Sequence, residues 1–99
     1  MNKIEHLLTC LTEECAEIIK EADKALRFGL DDVNPFQKEK GTNRERIHNE
    51  IQDLYGVIEL LNEAGVLPSV IEVDRVKKKR EKVEKYMKFA KELGTLKDE

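Results

Sequence analysis

Two sets of acidic side chains have the type and spacing for metal or proton chemistry. Glu14, Glu17 and Glu21 recur at intervals of three and four residues, with Glu13 directed further round, and Glu50 and Asp53 lie three residues apart. At about 100° per residue, each set falls on one side of a helix. Stacked like charges repel by a few tenths of a kcal/mol per pair even in water. For the first set, a solvated acidic face is the simple account. The second set is harder to explain that way. Ile47, Ile51, Leu54, Val57, Ile58, Leu60, Leu61 and Ala64 sweep about half the helix circumference, with Glu50 near the middle and Asp53 inside the arc. An ionised carboxylate in an apolar seam is costly unless it is ion-paired or binds a metal. A salt bridge to a buried Lys or Arg is one resolution. Lys79 is the one inward cation that the pattern offers, so the acids carry an excess negative charge that a divalent metal would neutralise. Oxygen ligands favour Mg²⁺, or Mn²⁺, over zinc. His6 and Cys10 lie one or two turns from Glu17 and read as core edge or pocket lining.

These side chains need rigid elements to hold them, and the chain punctuates three. The first helix is expected from about Asn2 to Phe28, with Asn2 and Glu5 as the N-cap pair and Gly29 as the stop. Its apolar stripe reads Ile4, Leu8, Leu11, Cys15, Ile18, Ala22 and Ala25, with the acids beside it. The second runs from about Asn43 to Ala64, opened by a Thr42–Glu45 capping box and ended by Gly65. The third starts after Pro68, with Ser69 and Glu72 at capping-box spacing, and runs to Leu93 before Gly94. Val76, Val83, Met87 and Ala90 form its inward stripe, which includes Lys79, while Lys82 points away. The connection GLDDVNPFQKEKGT, about 29–42, is long for so small a domain, and such loops are often functional or mobile. The tail, about 94–99, is expected to fray.

Composition bounds the rest. Ninety-nine residues suit a single domain spanning 1–99, and a chain that is 39% charged and 39% hydrophobic, with no Trp, favours an all-α fold. The net charge of −3 does not indicate bulk attraction to nucleic acid or to an anionic membrane. No apolar run approaches the ~20 residues of a membrane span. The start MNKIEHLLTC turns polar too early for a secretory signal. Cys10 and Cys15 are poorly placed to pair on one helix, so a reduced, cytoplasmic protein is expected. Three helices cannot cover the wide apolar arc of the second, so a homodimer or a dimer of dimers is expected.

The run Glu13-Glu14-Cys15-Ala16-Glu17, followed by Glu50-Ile51-Gln52-Asp53, resembles the EExxE…ExxD signature of the MazG-like, all-α nucleoside triphosphate pyrophosphohydrolases. The resemblance covers both motif helices and, more loosely, the third. It implies a three-helix chain completed by dimerisation into a four-helix-type bundle, and Mg²⁺-dependent cleavage of an NTP or dNTP to the monophosphate and pyrophosphate. It further implies that Glu14, Glu17, Glu50 and Asp53 ligate the metal, and that Glu13 or Glu17 accepts the proton. Lys79 would contact phosphate, with Lys82 assisting from the rim. There is no glycine-rich phosphate loop. Base selection would fall to pocket side chains such as His6, Cys10, Phe28 or Phe36. The competing reading is a non-catalytic helical module whose basic run VKKKREK docks an acidic partner; nine of the chain's eighteen basic residues lie between Arg75 and Lys91.

Overall fold

The structure, a computed structural model, describes residues 1–69 and 71–97. Among them it is all-helical: α1 (Lys3–Phe28), a 3₁₀ turn (Lys38–Lys40), α2 (Asn43–Glu63) and α3 (Val73–Leu93). No helix among the described residues is long and apolar enough to cross a membrane. The chain divides into two compact units, Met1–Ser69 and Val70–Glu99.

The first unit is an antiparallel pair of helices. Asn2 caps α1, its Oδ1 accepting from the Glu5 amide at 2.8 Å, and Gly29 ends it at φ 100°, backbone that L side chains rarely adopt. Thr42 opens α2 with a complete capping box, its hydroxyl and backbone exchanging hydrogen bonds with Glu45. The connection is tied down rather than loose. Asn43 Nδ2 donates to the Gly29 carbonyl at 2.8 Å, the Asn43 and Arg44 amides donate to Asp32 and Leu30, and Arg44 pairs with Asp31. An isolated bridge joins Val33 to Thr42. At the far end of α2, Asn62 Nδ2 donates to the carbonyls of Leu67 and Pro68.

The inward face of α1 keeps part of the expected stripe, with Leu11, Ile18, Ala22 and Ala25 half-buried. Leu7 and Glu21 are its buried residues, whereas Ile4, Leu8 and Cys15 are exposed. Glu14 and Glu17, half-buried, share the covered side with Leu7 and Glu21. Glu21 is buried in an ion pair with Arg46 of α2, which a count of apolar residues does not register. On α2, Leu61 is fully buried and most of the apolar arc half-buried, but Leu60 is exposed.

The second unit consists of α3 and its ends. Ser69 and Glu72 do not form a capping box: the helix starts at Val73, and its N-cap Glu72 makes no side-chain cap bond. Asn62 instead holds the preceding Leu67–Pro68 carbonyls against the end of α2. Gly94 ends α3 in a left-handed turn, and the amides of Thr95 and Leu96 donate back to the Ala90 carbonyl, so residues 94–96 are held. Asp98 and Glu99, the end of the expected fraying tail, lie outside the described residues. Within this unit Val76, Val83 and Met87 of the expected stripe are exposed, and Ala90 is half-buried.

Candidate metal centre

The antiparallel register of α1 and α2 sets the acids against one another. One oxygen from each of Glu14, Glu50 and Asp53 lies within 4.8 Å of the others, and so does one from each of Glu17, Glu21 and Glu50. The two groups share Glu50. Four of the acids named from the sequence therefore converge: Glu14, Glu50 and Asp53 in one group, and Glu17 in the other. Glu13 is exposed and belongs to neither. Asp53 is also exposed, so the seam is open at that edge rather than dry throughout.

Two observations distinguish the first group from a solvated acidic face. Glu14 Oε2 is buried and has no hydrogen-bond partner, a position costly for a carboxylate oxygen. Glu50 is pushed above the ordinary carboxylate pKa by burial and then by the negative charges of Asp53, Glu14, Glu17 and Glu21. Like charges this close to one another repel, and these acids could hold a cation. All-oxygen donors from two rigid helices, one edge open to solvent, suit a hard divalent ion.

The second group has a cation already. Arg46 donates from Nε to Glu21 Oε2 at 2.8 Å and from a terminal nitrogen to Oε1 at 3.1 Å, and its other terminal nitrogen donates to Gln37 Oε1 at 3.0 Å. Both side chains of the pair are buried, and Lys24 Nζ stands 3.6 Å from Glu21 Oε1. The Arg46 hydrogen bonds outweigh burial and hold the Glu21 carboxyl below its ordinary pKa; Glu21 in turn raises that of Arg46. The expectation that protein cations could not reach the acids is corrected here. Arg46 lies four residues before Glu50 and reaches back along α2 to a glutamate read as one more member of an exposed row. The expected alternative, a buried salt bridge, exists, but it belongs to Glu21 and not to Glu50 or Asp53. An Arg four residues ahead of an inward acid, inside an apolar arc, is the signal that could have found it.

Beside the centre lies a cleft of about 380 Å³ in the first unit. Glu17, Glu21, Glu50 and Arg46 line it together with Lys20, Lys24 and Lys40, none of which stood out in the sequence. Lys79 and Lys82 lie on α3 in the second unit, both exposed, beside the apolar stripe of Val83, Met87 and Ala90. Of the residues considered for base selection, Cys10 is half-buried and His6, Phe28 and Phe36 are exposed.

Comparison of the chain with protein-family models, with curated protein sequences and with solved structures found no match in any of the three.

Proposed function

We propose that the protein is an Mg²⁺-dependent nucleotide pyrophosphohydrolase of the MazG-like all-α kind, cleaving an NTP or dNTP to the monophosphate and pyrophosphate. The observation that carries this reading is the Glu14–Glu50–Asp53 convergence, with its orphaned Glu14 oxygen. Glu14, Glu50 and Asp53 would hold the ion, with Glu17 alongside. When bound, Mg²⁺ (or Mn²⁺) supplies charge neutralisation at the phosphoryl centre and acidifies water. Glu17 is half-buried and lines the cleft, which makes it a better proton acceptor than the outlying Glu13. Lys20 and Lys40 supply positive charge from the cleft wall. The protein acts as a homodimer or dimer of dimers in the cytoplasm, its bundle completed by a second copy.

The test is pyrophosphate release from a panel of NTPs and dNTPs with Mg²⁺. Wild type is expected to turn over at least one of them, and Glu50→Gln none. A second reading rests on the concentration of basic residues on α3, nine of the chain's eighteen between Arg75 and Lys91, which suits docking to an acidic partner. Salt-sensitive binding that Glu50→Gln leaves intact, without hydrolysis, would select that module over the enzyme.

A further inference from the structure

We infer that Arg46 occupies the position of a second cation, so that the two overlapping carboxylate groups take a single divalent ion, held by Glu14, Glu50 and Asp53. The inference rests on the metal reading proposed above and extends it to stoichiometry. Glu17, Glu21 and Glu50 bring oxygens as close together as the first group does, and by donor type alone either group suits Mg²⁺ or Mn²⁺. What separates them is the guanidinium. It donates to both Glu21 oxygens, and its remaining donor is directed to Gln37 of the connection. The Glu21 oxygens are thus engaged by a fixed, permanently charged group. In the first group, by contrast, Glu14 Oε2 has no hydrogen-bond partner.

The planar fork matches a carboxylate in two places at once, and Arg stays charged at any pH at which the protein folds. A metal entering the second group would have to displace Arg46 into a buried position without its partner, which is costly. The same guanidinium also lines the cleft. Fixed positive charge therefore remains beside Glu50 whether or not a metal is bound. Arg46 is a positioning residue: it holds Glu21 and excludes a second ion, leaving Glu50 to serve the first group.

Mn²⁺ binding to the full chain, counted by electron paramagnetic resonance and by calorimetry, tests this directly. Wild type is expected to bind one ion. Arg46→Met is expected to bind two, the second to the freed Glu17–Glu21–Glu50 group. Arg46→Gln keeps a hydrogen-bonding side chain at the position while removing its charge; it is the second variant should Arg46→Met not fold, and it is also expected to bind two. Circular dichroism identifies which variants are helical. Two ions in wild type, or one in wild type and one in a folded charge-removing variant, overturns the inference. No ion in wild type and one in the variant sustains the role of Arg46 while defeating the Glu14–Glu50–Asp53 centre. No ion in either defeats both.

Discussion

Glu50 and Glu21 lie on opposite sides of the ordinary carboxylate pKa of 4.5, and the difference is one of neighbours. Glu50 is half-buried among other acids, so the fold favours its proton-bound form. Its contribution to stability is present below the ordinary value and is lost as pH rises through the raised folded value; at neutral pH its ionised form is a cost. Glu21, bound to Arg46, contributes above the ordinary value and loses that contribution as pH falls through its lowered one. Glu50→Gln should therefore raise the Tm of the metal-free protein at pH 7, with the gain shrinking towards pH 4. Mg²⁺ should raise the Tm of wild type but not of this variant. Thermal scans with and without Mg²⁺ read both effects, and a Tm below wild type at pH 7 would contradict the account of Glu50. For the pair, Glu21→Ala should cost about 3–5 kcal/mol, since it leaves a buried guanidinium uncompensated. Urea titration should show that Glu21→Ala combined with Arg46→Met costs less than the two separate losses added together, as expected of residues in direct contact.

At the scale of elements, the helix ends are fixed by local chemistry. Thr42 and Glu45 satisfy amides that α2 would otherwise leave open, so Thr42→Ala should destabilise the first unit by about 1 kcal/mol, read by denaturant unfolding. A result within error of wild type would mean that the connection alone sets the start of α2. Such caps were legible in the sequence because a cap needs only residues three apart: Asn2 with Glu5, Thr42 with Glu45, and glycines 29, 65 and 94 all stand where the spacing placed them. Ser69 was misread for the same reason in reverse. Its spacing to Glu72 is correct, but Asn62 binds the carbonyls just before it, an interaction that the cap pattern does not contain. The convergence of Glu14 with Glu50 and Asp53 was legible because both helices are long and their phases regular. The burial of Glu21 was not. It depends on Glu21 meeting Arg46 across 25 residues of sequence, and helical period within either helix carries no information about that pairing. Lys20, Lys24 and Lys40 were missed likewise, because only the folded connection and the register of α1 bring them to one cleft.

At the scale of the molecule, the balance between buried and exposed apolar side chains bears on the proposed second copy. Leu7 and Leu61 are the buried hydrophobic residues among those described, and full burial of such a side chain stabilises by about 1.5–3 kcal/mol. Against that, Ile19 at 70%, Leu26 at 86% and Leu60 at 47% exposure are left in solvent within the first unit. So much uncovered apolar surface on helices with so small a core is what an assembly interface presents before its partner is in place. For the proposed homodimer folding and association are linked, and the Tm should rise with protein concentration over the micromolar range. Light scattering should give at least twice the 11.5 kDa chain mass. Leu60→Lys, which places a charge on an exposed apolar position of α2 without touching the carboxylates, should lower that mass and make the Tm independent of concentration. A monodisperse monomer with a concentration-independent Tm in wild type would mean that one copy is stable with its apolar faces wet, and the exposed surface would then need a different partner.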